Sequence, residues 1–446
     1  MIINDITDAV GNTPLLKVPA TITGLKNIEL YAKLELLNPF GSVKDRIAVG
    51  MLDQVLPEIQ SKGQRIIENS SGNTAKAIAV LAKRAGVEFK VVSALLRVSE
   101  CKDILKLLGA KLEEVSGAVN CFDPSDPRDP QNLILKEVQQ SNGRAHFISQ
   151  FTNPLNPATH RLTTAQEILT DLKQVDYLCA GLGTAGSTIG LADVLQAANP
   201  KLKLVGIAAG KTDFIPGIRT IDQLLEAGIF EPSRYDQIIS VEAQSAIDGM
   251  MLLVQKLGVL GGPSSGANFQ GSLEYLRSID AEAQPGSVAV TIVCDRLEWY
   301  LSYLRERRPS LFGEREIKTS IYNLTQADLD RVLSINASNY QAWFDQLKPL
   351  VVDIRAAIAF KQGSLPGAIN IPSELLDSLL NRDSLFLGTG ASVLFVCPFG
   401  EQSKRYAAQV NRLGGKGYNL ELGLTAWYKQ CRSQSKLDEY DAENWL

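Results

Sequence analysis

The chain contains 446 residues, of which 45% are hydrophobic and 21% are charged, and its formal net charge at pH 7 is −4. This slightly acidic balance excludes the basic surface with which proteins bind nucleic acid or an anionic membrane. The length exceeds what one ordinary hydrophobic core supports, so we expect two domains, and no apolar run reaches the roughly 20 residues that span a bilayer.

The first informative segment is a Pro/Gly turn that ends in a lysine. Residues 38–46 read Asn-Pro-Phe-Gly-Ser-Val-Lys-Asp-Arg, and Lys44 precedes an apolar helix predicted over residues 47–56. The positive end of a helix dipole disfavours an ammonium ion at this place. The amine of Lys44 is therefore more easily neutral, as imine formation with an aldehyde requires. A solvated surface lysine is the alternative for any single lysine.

A polar turn follows at residues 68–75, between an apolar run at 65–67 and a helix predicted over 76–85. A strand, a small turn and a helix start together form an anion site, because the first N–H groups of the helix point outward. The hydroxyls of Ser70, Ser71 and Thr74 add further donors. An ordinary helix cap is the alternative.

The third segment is rich in glycine. Residues 181–190 read Gly-Leu-Gly-Thr-Ala-Gly-Ser-Thr-Ile-Gly, between a strand predicted at 177–180 and a helix at 191–198. Such a backbone approaches a ligand closely, and its N–H groups can cradle a phosphate. The glycine spacing also fits a dinucleotide fingerprint, but the next strand, predicted over 202–208, has no acidic residue at its end. We therefore predict a phosphate monoester as the ligand.

Up to about residue 310, apolar runs alternate with helical periods. Strands are predicted at 90–92 and 288–294, and helices at 100–108 and 298–305. Strands that alternate with helices predict a parallel sheet covered on both faces. Residues 261–268 form a fourth segment of small residues, Gly-Gly-Pro-Ser-Ser-Gly-Ala-Asn, which leads into another predicted helix.

Together these segments resemble the fold type II pyridoxal-phosphate enzymes, specifically the cysteine synthase and cystathionine β-synthase family. The resemblance begins at Gly-Asn-Thr-Pro-Leu (11–15), includes Gln-Phe-Thr-Asn-Pro-Leu-Asn-Pro (150–157) and ends near residue 302. It implies an α/β fold with two three-layer αβα subdomains in residues 1–315. It also implies pyridoxal 5′-phosphate as the cofactor and a homodimer as the assembly.

The resemblance also implies the roles of individual residues. Lys44 would carry the cofactor as a Schiff base and later transfer the substrate proton, and Asn73 would bond the 3′ oxygen of the cofactor. The other implied cofactor contacts are Gly183, Thr184, Ala185, Gly186, Ser187 and Gly262. The implied contacts of the substrate α-carboxylate are Ser70, Ser71, Gly72, Thr74 and Gln150.

The segment at residues 294–302 departs from the family pattern, in which a serine faces the pyridine nitrogen of the cofactor. Anchored on Glu298 and Tyr300, that position falls on Arg296. An arginine donates a proton but cannot accept one, so it would weaken the ring as an electron sink. Elimination and replacement would survive this change, whereas racemisation and transamination would suffer. In the alternative, Arg296 turns to solvent and Asp295 or a water faces the ring.

The implied activity is that of a transferase or lyase of the cysteine synthase type. It is β-replacement on serine, O-acetylserine or O-phosphoserine through an aminoacrylate, with sulfide addition giving L-cysteine. The alternative is an amine or amino-acid nucleophile that gives a 2,3-diaminopropionate-type product. Ser70, Ala75 and Ala185 favour this alternative nucleophile, because each replaces a residue that is usual in the family. A non-catalytic scaffold with a partner-binding domain is a third possibility.

The chain becomes charged from residue 305, and we predict a helical linker at 316–345, a domain at 346–431 and a C-terminal tail at 432–446. The domain resembles rhodaneses, in which a cysteine at a strand end carries a persulfide. Here that residue is Cys397, after a strand predicted at 393–397. Pro398 and Gln402 stand where arginines are usual, so sulfurtransferase activity stays open.

Cysteine and histidine usage limits the remaining possibilities. The six cysteines form no Cys-x-x-Cys pair, which is typical of free thiols in a reducing cytosol. Residues 1–10 lack the basic and apolar regions of a signal peptide, so we expect a cytoplasmic protein. Two histidines offer little for a metal site, and we expect none; the expected partners are a small amino-acid substrate and a small nucleophile.

Overall fold

The computed structural model describes residues 2–70, 72–93, 96, 98–115, 129–210, 213–224, 228–314, 321, 324–355, 357–361, 363–380 and 392–433. They belong to two compact units, Met1–Leu304 and Arg305–Leu446. The sequence placed the first boundary at residue 315 instead. Ser71 and most of the predicted tail lie outside the described residues.

Two sheets form unit 1 within the described residues. Its strands are β1 (Leu15–Lys17), β2 (Ile28–Leu34), β3 (Arg65–Asn69), β4 (Phe89–Ser93), β5 (Lys111–Glu114), β6 (Ala145–Phe147), β7 (Tyr177–Gly181), β8 (Lys203–Ala209), β9 (Gln237–Val241) and β10 (Ser287–Val293). One sheet has the order β1-β2-β10-β7-β8-β9, in which β1 alone is antiparallel to its neighbour. The other has the order β5-β4-β3-β6 and is parallel. The predicted alternating α/β organisation is thus confirmed.

The helices of this region lie between the strands. They are α1 (Ala20–Thr23), α2 (Lys44–Leu52), α3 (Leu56–Ser61), α4 (Asn73–Ala85), α5 (Ser99–Leu107), α6 (Pro130–Gln140), α7 (Leu155–Leu162), α8 (Thr164–Leu172), α9 (Gly186–Ala198), α10 (Ile221–Leu224), α11 (Ala243–Leu257), α12 (Pro263–Ile279) and α13 (Leu301–Arg307). The single helix predicted over residues 47–56 was wrong, because α2 ends at Leu52 and α3 begins at Leu56. Pro57 explains the break, since its ring would clash with a preceding turn.

The central strands of the larger sheet are buried. All residues of β8 after Lys203 are buried, as are the last five of β10. Such continuous apolar strands are typical of parallel sheets covered by helices on both faces. The loop that leads into α9 follows β7 of this sheet, and the loop that leads into α4 follows β3 of the smaller sheet. The carboxyl ends of parallel strands are where such sheets bind ligands.

Unit 2 contains one parallel sheet in its described part, in the order β11-β15-β14-β12-β13. The strands are β11 (Leu333–Ile335), β12 (Leu350–Asp353), β13 (Ile369–Asn370), β14 (Ser392–Val396) and β15 (Lys416–Leu420). The helices are α14 (Gln326–Asp330), α15 (Tyr340–Leu347), α16 (Ala357–Lys361), α17 (Ser373–Leu380), α18 (Glu401–Arg412) and α19 (Gly423–Ser433).

The stretch predicted as a helical linker differs from that expectation. It supplies the edge strand β11, which pairs with β15, together with α14 and the start of α15. The polar residues there read as a linker because an edge strand of three residues carries little apolar pattern. Among the helices described, none combines the length and the apolar character that crossing a membrane requires.

Candidate active site

A cavity of about 250 Å³ lies in unit 1 where several parallel strands end. Asn69 of β3, Gly181 of β7 and Ile292 of β10 line it, together with residues of the helices that start there. Lys44, Asn73, Thr74, Gln150, Gly183, Thr184 and Ser187, all predicted from the sequence, are among the lining residues. The fold therefore brings segments that are far apart in the sequence to one place.

Lys44 is the first residue of α2, and its backbone is held to the end of β10. Val43 N–H donates to the Cys294 carbonyl at 2.8 Å, and Ser42 forms a backbone bridge with Asp295. Burial lowers the pKa of the Lys44 amine, and the nearby groups of Cys294, Asp295 and Glu35 act in the opposite direction. A lysine with a lowered pKa in a cavity suits a nucleophilic or proton-transfer role.

Asn73, Asp295 and Tyr300 form a hydrogen-bonded group on one wall. Asn73 Nδ2 donates to Asp295 Oδ2 at 2.6 Å and to the Tyr300 hydroxyl at 2.9 Å, and that hydroxyl also donates to Asp295. Ser264 Oγ lies 3.3 Å from Asp295 Oδ1. Burial raises the pKa of the Asp295 carboxyl, while the bonds from Tyr300 and Asn73 lower it.

The glycine-rich loop forms the opposite wall. Ala185 caps α9 with φ of 64°, and Gly183, Thr184 and Ser187 line the cavity. A Cβ on Gly183 would lie 2.7 Å from the Gly217 carbonyl oxygen, and one on Gly186 would clash with Asn156 Oδ1. Glycine is therefore required at both positions. A helix start with exposed backbone N–H groups is suited to binding an anion such as a phosphate.

Ala185, Gly186 and Gly262 are not among the lining residues of the described cavity. Gly186 N–H bonds Thr184 Oγ1 at 3.3 Å, which shapes the loop. Gly262 N–H donates to the Asp295 carbonyl at 2.9 Å, and a Cβ there would lie 2.5 Å from Asp295 Oδ1. These glycines support the walls of the cavity.

The predicted carboxylate contacts lie at the start of α4. Thr74 Oγ1 donates to Gln150 Oε1 at 2.7 Å, and Gln150 Nε2 donates to the Asn69 carbonyl at 2.8 Å. Ser70 Oγ accepts from Ala75 N–H at 3.1 Å, as a helix cap does, and it also lines the cavity. Gly72 lines the cavity as well, and Ser71 lies outside the described residues.

Arg296 does not line the cavity that the described residues form. Its Nε donates to the Leu36 carbonyl at 3.0 Å, and Nη2 lies 3.4 Å from the Asn38 carbonyl. Asp295 and Cys294 line the cavity in its place. This favours the alternative in which Asp295 faces the ring, with the difference that Arg296 is anchored to protein carbonyls instead of turning to solvent.

Sequence reasoning missed Arg219, a second cation in the lining. Its guanidinium carbon lies 4.1 Å from the ring centroid of Phe151, and Nη1 lies 3.3 Å from the Gln223 carbonyl. An arginine in a loop carries no local signal, so only the tertiary fold identifies it. A guanidinium in a cavity is suited to an anionic group of a ligand.

Glu68, near the end of β3, is fully buried and precedes Asn69, which lines the cavity. Its Oε1 accepts from Asn69 N–H at 3.0 Å and lies 3.5 Å from Gln150 N. Burial raises the pKa of this carboxyl to about 8, against the lowering effect of the backbone bonds. Glu68 is therefore largely protonated at neutral pH.

In unit 2, Cys397 follows β14 and is 3% exposed. Its Sγ accepts from Gly400 N–H at 3.1 Å and lies 3.5 Å from Ser403 N and 3.1 Å from Ser403 Oγ. Ser403 Oγ also bonds Asn419 Oδ1 at 2.7 Å. A loop of inward N–H groups around a sulfur is suited to stabilising a thiolate or persulfide anion.

Among the described residues, no cluster of three or more His, Cys, Asp or Glu side chains is suited to a metal ion.

Two family models match the chain. The model described as pyridoxal-phosphate dependent enzyme matches residues 6–295. The model of the rhodanese-like domain matches residues 336–430.

Similar proteins cover the first of these regions. A cysteine synthase of Aquifex aeolicus is 32% identical over 305 residues, which are 67% of this chain and 90% of that protein. An O-ureido-L-serine synthase of Streptomyces lavendulae is 30% identical over 311 residues, 67% of this chain and 91% of that protein. The crystal structure of an O-acetylserine dependent cystathionine β-synthase from Helicobacter pylori superposes with a TM-score of 0.57 at 29% identity, covering 68% of this chain and 98% of that one.

Proposed function

Because this chain belongs to the pyridoxal-phosphate dependent enzyme family, we propose that it catalyses β-replacement on an O-activated L-serine, with sulfide as the nucleophile and L-cysteine as the product. Family membership confirms the predicted enzyme class, the fold type II architecture and the cofactor pyridoxal 5′-phosphate. The match at residues 336–430 confirms the predicted rhodanese-like domain.

The observation that carries the proposal is the position of Lys44 in a cavity whose walls fit this cofactor. The loop at Gly183, Thr184 and Ser187 would hold the phosphate, because no side chain fits in place of its glycines. Asn73 lines the same cavity and would contact a ring oxygen of the cofactor, with its amide nitrogen held by Asp295 and Tyr300. An aldehyde, a phosphate and a ring oxygen thus each find a complementary group.

Lys44 would act as the proton-transfer group. Bound pyridoxal 5′-phosphate supplies an electron sink for the negative charge that develops at the substrate α-carbon. With its pKa lowered by burial, Lys44 Nζ can be neutral and accept the α-proton, and it can return a proton in the second half of the reaction.

The start of α4 would bind and orient the substrate. Thr74 and Gln150 line the cavity and are held in place by the hydrogen bonds to Gln150 Oε1 and the Asn69 carbonyl. The N–H groups of the first turn of α4 add a positive dipole end. A carboxylate placed there leaves the β-carbon of the substrate toward the interior. Phe151, Ile218 and Ile292 line the cavity and limit the access of water.

The similar proteins suggest O-acetylserine as the first substrate to test. One relative is a cysteine synthase, and a structural relative is O-acetylserine dependent. The experiment incubates the purified chain with sulfide and O-acetylserine, O-phosphoserine or serine in turn, and measures the product by mass spectrometry. Cysteine formation from O-acetylserine at the highest rate would support the proposal. The absence of cysteine with all three would refute it.

Arg219 favours a second candidate, in which the nucleophile is an amine that carries a carboxylate. Its guanidinium lines the cavity, where sulfide would need no such partner. The same assay with glutamate or another amino acid in place of sulfide would then give a 2,3-diaminopropionate-type product. A phosphoryl leaving group would use the same arginine, so R219K and R219A should each be assayed with O-acetylserine and O-phosphoserine. Loss only with O-phosphoserine would assign Arg219 to the leaving group.

We further propose that Cys397 carries sulfur as a persulfide and so supplies the nucleophile. The N–H groups of Gly400 and Ser403 around Sγ support this role. Thiosulfate would transfer its outer sulfur to the thiolate and release sulfite, and a thiol reductant would then release sulfide. C397S should lose cysteine formation from thiosulfate while retaining it from sulfide. An unchanged rate with thiosulfate would show that Cys397 does not deliver sulfur.

A further inference from the structure

Lys76 is a buried lysine beside the candidate cofactor site, and the mechanism above does not use it. It lies one turn of α4 after Asn73, and 4% of its surface is exposed. Its Nζ has no hydrogen-bond partner among the described residues, and it lies 4.0 Å from the centroid of the Trp299 ring. Lysine is almost never buried in this way unless another group compensates its charge.

Two buried carboxyl groups, those of Asp45 and Asp295, act on the charge of Lys76. Burial lowers the pKa of the Lys76 amine, while Asp45 and Asp295 raise it. Burial likewise raises the pKa of both carboxyls, and Lys76 lowers it in each case. The face of Trp299 adds a cation–π contact. The other titratable or charged groups that act on this arrangement are Lys44, Glu35, Tyr300, Cys101, Cys294 and Arg296.

The charge of Asp295 matters because three donors converge on it. Asn73 Nδ2 and the Tyr300 hydroxyl donate to Oδ2, and Ser264 Oγ lies near Oδ1. An ionised carboxylate offers acceptors only, so all three hydrogen bonds can form together. A protonated carboxyl would add a donor at the same place and would compete with one of them. The orientation of the Asn73 amide, which faces the cofactor site, therefore depends on the charge of Asp295.

We propose that Lys76 is a positioning residue whose buried ammonium group keeps Asp295 ionised and thereby holds the Asn73 and Tyr300 hydrogen bonds that shape the cofactor site. The inference rests on the cofactor site described above and is independent of the leaving group and the nucleophile. It also accounts for a buried cation one helical turn from the residue assigned to the cofactor.

The test compares K76M, which keeps the length of the side chain without its charge, with K76R, which keeps the charge. K83M is the matched control, because Lys83 is an exposed lysine on the same helix. Far-UV circular dichroism first establishes that each full-length variant is folded. The dissociation constant of pyridoxal 5′-phosphate and the visible absorbance of the bound cofactor are then measured from pH 5 to pH 9.

We expect K76M to bind the cofactor about tenfold more weakly at neutral pH. We also expect the pH at which the absorbance of the bound cofactor is halfway through its change to rise by about one unit. K76R and K83M should retain the wild-type midpoint. If K76M does not fold, K76Q replaces it. A folded K76M or K76Q with the wild-type pH profile would overturn the proposal, even if its stability had changed.

D295N supplies the second arm of the test, because its amide cannot ionise. In the D295N background, the K76M change should leave the pH profile of the bound cofactor unchanged, since both changes act through one charge. A full additional shift in the double variant would show that Lys76 acts by another route. Neither readout requires turnover, so a failed β-replacement assay with a clear K76M shift would refute the proposed reaction and leave the positioning role standing.

Discussion

The loop before α9 in unit 1 and the loop before α18 in unit 2 have the same local geometry. Each follows a buried parallel strand, and each places a residue with positive φ at the helix N-cap, 64° at Ala185 and 83° at Gly400. In unit 1 the loop borders an open cavity. In unit 2 its N–H groups lie against Cys397 Sγ. One backbone geometry thus faces a ligand site in one unit and the protein's own sulfur in the other.

The buried ionisable groups near the two loops differ in the same sense. In unit 1, burial lowers the pKa of Lys44 and raises that of Glu68 to about 8. In unit 2, Asp353 is fully buried but accepts from Arg355 Nη2 at 2.7 Å and from Ser364 Oγ at 2.6 Å. Lys44 and Glu68 thus have displaced pKa values, as groups at functional sites do. The buried carboxylate of Asp353 is instead satisfied by neighbouring side chains.

The K44A variant is the strongest test of this difference between unit 1 and unit 2. Without the amine, we expect a loss of the visible absorbance of the bound cofactor and a fall in β-replacement of about 10³-fold, which is typical for removal of a proton-transfer group. Product formation by mass spectrometry and the absorbance spectrum are the measurements. K62A is the control, because the Lys62 side chain is 57% exposed. Full activity in K44A would show that this cavity is not the catalytic site.

A matched pair of glycine changes tests the two loops directly. A Cβ on Gly183 would lie 2.7 Å from the Gly217 carbonyl, and a Cβ on Gly400 would lie 2.7 Å from the Leu420 carbonyl. G183A should weaken cofactor binding about tenfold or more, because hydrogen bonds to a phosphate would be displaced. G400A should cost about 1–3 kcal/mol of stability, because its φ is 83° and its surroundings are closed.

The readouts for this pair are the cofactor dissociation constant and the rate of Cys397 alkylation. We expect each variant to change one of them and to leave the other near wild type. Tryptophan fluorescence adds a probe of unfolding that includes unit 2, where Trp343 and Trp427 are partly buried and pack against the core. If G400A weakened cofactor binding as much as G183A, the two loops would not be independent.

These positions also show how far the sequence was sufficient. Lys44 and the glycine-rich loop were singled out by local turns at helix starts, and Asn73 by the family resemblance. The structure places them around one cavity. Arg296 was predicted from alignment of a motif, which gives its position and not its direction. Its side chain is directed by the Leu36 and Asn38 carbonyls, about 260 residues earlier in the chain. No local pattern in the sequence singles out Lys76, and only the tertiary fold brings its Nζ to 4.0 Å from the centroid of the Trp299 ring.

The displaced pKa of Glu68 predicts a pH dependence of stability in the cofactor unit. The folded carboxyl keeps its proton up to about pH 8, whereas the ordinary value is 4.5. Between these values the folded state binds the proton that the unfolded state has lost, so stability falls as pH rises. E68Q removes this titration. From pH 5 to pH 7, wild type should lose about 2 kcal/mol more than E68Q does.

Urea unfolding at each pH measures this difference, with the cofactor at saturation throughout. E88Q is the control, because it makes the same change at a glutamate whose side chain is 42% exposed. If E68Q and wild type lose stability in parallel as pH rises, the buried carboxyl of Glu68 is already ionised in the folded protein. The negative charge of Glu68 would then need a compensating group in unit 1.

The smallest effect is expected for A185G, the mirror of G400A. Ala185 adopts φ of 64° but is only 1% exposed, so two terms oppose each other. Glycine would relieve a backbone cost of about 1 kcal/mol and would lose the burial of one methyl group, worth about 0.8 kcal/mol. The net change in unfolding free energy should therefore be below about 0.5 kcal/mol, with cofactor affinity unchanged. Thermal unfolding and the cofactor dissociation constant measure both, and weaker binding in A185G would mean that the Ala185 side chain holds the loop in its ligand-binding shape. That result would separate the two loops further, since positive φ at one N-cap would be maintained by a packed methyl group and at the other by the absence of a side chain.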